Sequence, residues 1–174
     1  MSTTPREKAP FVGAMMRVAL HWVLEQIYAG VNEAGYTDLS PAQVGMFRYP
    51  TSEGLRPSEL AQRLRVTKQS VNDLLRETER LGYLALAPDP ADGRARVIRL
   101  TPRGRQLEQA VHHAAGAAEA GIARLLGPTA FEEFHSALER VAEAVHDGSL
   151  QAADDRPAPV EARPRTAQSA TIIP

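Results

Sequence analysis

The stretch PSELAQRLRVTKQSVNDLLRETERLGYLALAPDPADGRARVIRLTPRG, residues 57–104, decides how this chain folds. Pro57 suits the first position of a helix, where a missing N–H goes unnoticed, and Glu59 lies favourably in the first turn. Leu60, Ala61 and Leu64 then supply the buried side of about two turns. Thr67 reads as the N-cap of a second helix that runs to Gly82. That helix buries Val71, Leu74, Leu75, Thr78 and Leu81 and turns Lys68, Gln69, Asn72, Asp73 and Arg76 outward. Two helices joined only by Arg65, Val66 and Thr67 make a helix-turn-helix. Residues 83–87 and 95–100 follow as strand-like runs around the turn-rich 88–93, which predicts a β-hairpin. Its register stays open, because Val97 and Ile98 are both apolar.

Helices flank this unit. Between residues 11 and 34, Val12, Met16, Leu20, Val23, Ile27 and Val31 recur at helical spacing. Ser40, Pro41 and Gln43 form a capping-box pattern that opens a short helix ended by Pro50, and Gly54 marks a loop. Thr101 and Pro102 open a long helix striped with Leu107, Val111, Ala114, Ala118, Ile122 and Leu125, ending near Gly127. Gly116 and Gly121 each weaken it by roughly 1 kcal/mol relative to alanine. They read equally as a place where another helix approaches and as composition bias. A last helix carries Phe131, Phe134, Leu138, Val141 and Val145 and stops at Gly148. Residues 149–174 are rich in Pro, Ala, Arg and Asp without a period, the mark of a disordered tail. The expected architecture is mainly α with a small β-hairpin: N-terminal helices over 10–50, the helix-turn-helix and hairpin over 51–101, C-terminal helices over 102–148, and the tail over 149–174.

The chain has 174 residues, room for roughly one ordinary domain or a small domain plus helices that need a partner, and its 43 % hydrophobic and 24 % charged residues are the balance of a soluble globular protein. There is no cysteine, so disulfide scaffolds, thiol nucleophiles and cysteine-ligated metals are excluded. Arg17, His21 and Glu25 interrupt the apolar run after Pro10, which argues against a signal peptide or membrane span and for a cytoplasmic protein. A net charge of −1 hides a division. Residues 56–105 hold eleven basic and six acidic side chains, whereas 106–147 hold two and seven. A polyanion is drawn to the first segment and repelled by the second; a merely solvated face is the plainer alternative.

The B-DNA major groove admits one α-helix, which needs polar side chains near its N-terminus and an apolar back. The helix after Thr67 has both. Gln69 and Asn72 can pair with a base edge, Arg76 can reach guanine or phosphate, and Thr67, Lys68 and Ser70 suit phosphate or base contacts. Asp73 either holds Arg76 one turn away or accepts from a cytosine amino group. In the hairpin Arg94 follows flexible Gly93, with Arg96 and Arg99 along the second strand, and such an arm can enter a minor groove. Asp92 is placed to pin the arginine by a charge-assisted bond. Metal and enzyme readings fare worse. His112 and His113 are adjacent and diverge on a helix, and His135 with Glu139 is a one-turn surface pair. No nucleophile–base arrangement or phosphate-cradling loop is present, so no catalytic residue, metal or cofactor is expected.

The quoted stretch resembles the winged helix-turn-helix domain of the MarR (multiple antibiotic resistance regulator) family, most specifically in the string DPADGRA followed by the LTPRG helix start. The flanking helices fall where that family keeps its dimerisation helices, so the resemblance covers roughly 11–148. It implies a homodimeric transcription regulator, typically a repressor, on a near-palindromic duplex. The helix from Thr67 would lie in the major groove and the wing arginine Arg94 in the minor groove, with Asp92, Gly93 and Arg96 as the other DNA-binding candidates of the wing. Three positions depart from the pattern: Arg65 where the turn often has glycine, Thr78 where leucine is common, and Asp73 before Arg76 in reversed charge order.

A unit this small leaves the apolar stripes of its outer helices uncovered, which points to a two-fold dimer through Phe11, Val12, Met16, Phe131, Phe134, Leu138, Val141 and Val145. Family resemblance further implies release of DNA by a small aromatic or phenolic effector, for which His21, Trp22, Met46 and Tyr49 are the candidate pocket residues; the plainer and favoured reading has Trp22 and Met46 as core and His21 as an ordinary, partly exposed histidine. An architectural or protein-partner module without ligand control is the alternative function.

Overall fold

The computed structural model describes residues 11–48 and 53–149. Its elements are α1 (Val12–Glu33), α2 (Pro41–Gly45), α3 (Pro57–Leu64), α4 (Lys68–Arg80), β1 (Leu84–Asp89), β2 (Asp92–Leu100), α5 (Pro102–Leu126) and α6 (Pro128–His146). The chain divides after Gly127 into two compact units.

In the first unit α1 runs along α5, and α2, α3, α4 and the antiparallel β1–β2 hairpin pack at their ends. Ile27 and Val31 of α1, Leu107, Val111 and Ala114 of α5, and Val71 and Leu75 of α4 belong to one core, with Phe47 and Tyr83 at its centre. The α1 stripe is therefore buried only at its C-terminal half. Val12, Met16 and Leu20 stay exposed because nothing among the described residues lies over them.

The expected caps are present. Ser40 and Gln43 form the reciprocal capping box, and the Thr67 and Thr101 hydroxyls accept from the Ser70 and Gly104 amides. Three boundaries differ from the sequence reading. Helix α2 stops at Gly45, ahead of Pro50, because the Met46 and Phe47 amides bond three residues back and turn both side chains into the core. Pro50 itself, Tyr49 and residues 150–174 of the expected tail lie outside the described residues. Helix α4 stops at Arg80 and leaves Gly82 to close it at positive φ. The hairpin strands reach further than 83–87 and 95–100, to Asp89 and Asp92, which face each other across a bulge at Pro88 and Asp89.

Val97 and Ile98 are both buried, so β2 is covered on both faces there. Its second edge is met by the turn at Gly54 and Leu55, which exchanges bonds of 2.7 and 2.9 Å with the Ile98 backbone. Glu53 caps the neighbouring Leu100 amide at 2.6 Å. Midway along α5, Gly116 faces open space, whereas Gly121 meets the Trp22 indole of α1, where an added Cβ would sit 3.1 Å from the ring. At Gly104 the approach is closer still: a Cβ would fall on the Tyr83 carbonyl oxygen, which fixes the start of α5 against the end of α4.

The second unit is helix α6, none of whose residues is buried. Phe134, Leu138, Val141 and Val145 lie exposed along it, at the helical spacing expected.

Candidate nucleic-acid interface

Helix α3 ends through Arg65 at φ 54°, ψ 41°, the left-handed conformation that the turn requires. Its amide and that of Val66 bond back to Gln62 and Ala61 at 3.2 and 3.1 Å, which closes α3 in a Schellman arrangement and delivers the chain to Thr67. The Thr67 hydroxyl lies 2.8 Å from that of Ser70 as well as capping its amide, so both side chains serve the start of α4. From there the helix is sharply two-faced. Val71, Leu75 and Thr78 are fully buried, while Lys68, Gln69, Asn72, Asp73 and Arg76 are exposed. Asp73 stands 3.6 Å from Arg76, so it faces that arginine one turn on, as expected.

Thr78 explains its own departure from leucine. Its hydroxyl donates to Leu74 O at 2.7 Å and accepts from Gln43 Nε2 at 3.2 Å, in a site closed to solvent. Gln43 is also buried and is committed through Oε1 to the Ser40 amide. A polar pair thus fastens the back of α4 to α2.

The wing corrects one expectation. Asp92 does not bond the Arg94 side chain; its Oδ1 accepts from the Arg94 amide at 3.1 Å, and its other oxygen faces Arg56. Arg94 is left exposed with no carboxylate partner among the described residues. Arg96 reaches back to Leu86 O at 2.8 Å and is tied to the hairpin. The strongest wing contact is one the sequence reading missed. Arg56, just before α3, sets its Nε and Nη2 at 2.8 and 2.6 Å from Asp89 Oδ2. The Ala91 amide and this guanidinium hold the Asp89 carboxyl below its ordinary range. Thirty-three residues separate the partners, and no local spacing announces the pair.

Several of the eleven basic residues are similarly engaged. Arg80 pairs with Glu77, Arg99 and Arg105 both face Glu53, and Arg103 pairs with Asp38. Among the described residues, the basic side chains of this segment left without a carboxylate include Arg65 and Lys68, at the head of α4, and Arg94 and Arg96 on the wing. A cleft of about 320 Å³ between the head of α4 and β2 is lined by Ser58, Lys68, Asn72 and Arg96.

A model of the MarR family matches residues 37–95, which run from before α2 into β2. The HTH-type transcriptional repressor Rv2887 of Mycobacterium tuberculosis is 33 % identical over 131 residues, 75 % of this chain and 87 % of that one. The chain belongs to the MarR family. Two crystal structures of that relative bear out the winged helix-turn-helix fold of this MarR-family regulator. The complex with DNA has a TM-score of 0.61 at 27 % identity, covering 77 % of this chain and 98 % of that one. The complex with salicylic acid has a TM-score of 0.59 at 29 % identity, covering 78 % and 98 %. The MarR family is one of transcriptional regulators, which is not an enzyme class.

The other sequence candidates fall in different places on this MarR-family regulator. Phe11, Val12, Met16, Phe134, Leu138, Val141 and Val145 are exposed and Phe131 is half-buried. His21 is exposed and faces Glu25 at 3.1 Å. Trp22 lines a groove of about 290 Å³ between α1 and α5 with Gln26, Glu33 and Arg124. Met46 is buried in the core and does not line that groove, so the two are not brought together. No helix among the described residues is long and apolar enough to cross a membrane.

Proposed function

We propose that this chain is a cytoplasmic homodimeric transcriptional repressor that binds a specific, near-palindromic double-stranded DNA site and releases it when a small phenolic acid binds. The two-faced helix α4 carries the reading. Its apolar back is locked into the core, so Gln69, Asn72 and Arg76 stand rigid on an exposed face, and rigid placement is what base readout needs. Lys68 at the head of that face and Arg94 on the wing keep their charge for phosphates or the minor groove. The exposed apolar residues of α1 and α6 support a two-fold partner: leaving them wet costs about 25 cal/mol per Å². Such a dimer sets two α4 helices roughly 34 Å apart, one turn of DNA.

The effector half of the proposal rests on the α1–α5 groove, where Trp22 offers an aromatic face and Arg124 a cation for a phenolic carboxylate. A ligand there weakens DNA binding only by favouring a dimer with wrongly spaced reading helices.

The test is selection of tightly bound duplexes from a random pool, followed by anisotropy titrations of the selected and a scrambled duplex at several salt concentrations. The proposal expects a steep fall of affinity with salt and a selected site at least 10³-fold tighter than the scrambled one. Equal affinity for both duplexes rejects specific regulation in favour of an architectural protein, and indifference to every duplex in dilute buffer rejects DNA binding altogether.

A further inference from the structure

We infer that Arg56 is a positioning residue for the wing, holding the hairpin tip, and Arg94 with it, in register with the reading helix; this rests on the DNA-binding reading above. Two carboxylates converge on the one guanidinium. Asp89 Oδ2 lies 2.6 Å from Nη2 and 2.8 Å from Nε, and Asp92 Oδ2 lies 3.8 Å from Nη2. Each carboxylate spends its other oxygen on the backbone of the tip: Asp89 Oδ1 accepts from the Ala91 amide at 2.8 Å, and Asp92 Oδ1 from the Arg94 amide at 3.1 Å. The turn that presents Arg94 is thus shaped by two side chains that Arg56 holds together, where without a cation between them they would repel.

The other end of the clamp is equally fixed. The Arg56 amide donates to Glu59 at 2.9 Å and its carbonyl accepts the first bonds of α3, so the guanidinium is anchored to the helix that leads directly into the turn and α4. Wing and reading helix are referred to one frame. Arg56 also borders the cleft that holds Lys68 and Asn72, where a phosphate contact is the obvious alternative role. Against it stands the charge count: one guanidinium shared by two carboxylates presents no net positive charge to DNA.

The two roles are separated by a set of variants measured on the duplex selected by the wild-type chain. Arg56→Gln and Arg94→Ala should each weaken binding roughly tenfold, whereas Arg56→Gln in the Arg94→Ala background should weaken it less than twofold further. Asp89→Asn is the sharper arm. Removing an acid near DNA raises affinity by simple electrostatics, but the clamp requires a loss close to that of Arg56→Gln. Independently of DNA, hydrogen exchange at the Ala91 and Arg94 amides should quicken at least tenfold in Arg56→Gln and only partly in Arg56→Lys, which keeps charge but not the fork. Multiplicative losses in the double variant, tighter binding by Asp89→Asn, or unchanged exchange at both amides would each overturn the clamp. If no duplex binds the wild type, the regulator reading fails, and exchange alone still decides whether Arg56 holds the tip.

Discussion

Helices α3 and α4 close with the same pair of backbone bonds, from the left-handed residue and the one after it to carbonyls three and five positions back, yet one uses Gly82 at φ 79° and the other Arg65 at φ 54°. A side chain in that region costs roughly 1 kcal/mol. Arg65→Gly should therefore stabilise the chain by about that amount, read from chemical denaturation. Thr78 offers the opposite case. Thr78→Val removes the hydroxyl and leaves the buried Gln43 amide unpaired, so it should destabilise by about 1–3 kcal/mol despite the matched shape. At Tyr83, burial first and the bond to Asp38 second push the phenol up to about 12. The unfolded phenol titrates near 10. Between those values the unfolded state has released a proton that the folded state retains, so stability falls as pH rises from about 10 towards 12. Tyr83→Phe should flatten that alkaline decline in denaturant melts, though it starts from a lower neutral value through loss of the 2.6 Å bond to Asp38.

The elements divide the proposed DNA contacts between them. Gln69→Ala or Asn72→Ala on α4 should cost about 1–3 kcal/mol at particular base pairs and little elsewhere, by binding to a series of single-base variants of the selected site. Arg94→Ala on the wing should weaken all duplexes alike and reduce the salt slope by about one. Both elements were legible in the sequence because their signals are local: a threonine cap, a three-residue link, a glycine stop and buried residues at helical spacing all lie within a few turns. The hairpin's ends were less so. They are set by Asp89 and Asp92 bonding the tip backbone and Arg56, and cross-chain pairing of that kind leaves no trace in spacing. The same blindness inflated the basic face, since Glu53 and Asp38 lie outside the segment whose charge they neutralise.

At the scale of the molecule, periodicity showed which sides of α1 and α6 are apolar but not what covers them, since the same stripe serves a core and a subunit interface. Phe134→Glu with Val141→Glu should give a monomer by light scattering and lose most DNA affinity, while helix content stays unchanged because neither residue is buried. Trp22 is the chain's single tryptophan, so salicylate titration should change its fluorescence, and Arg124→Ala should weaken that response. Helix α5 joins these scales. Its 25 residues make a rod about 37 Å long, seated without slack at Gly104 against the Tyr83 carbonyl. Swinging such a rod by about 5° around its far end carries its near end ~3 Å sideways, many times the few tenths of an ångström over which a hydrogen bond tolerates error. Leverage, not upheaval, would be enough to take the proposed reading helices off a duplex.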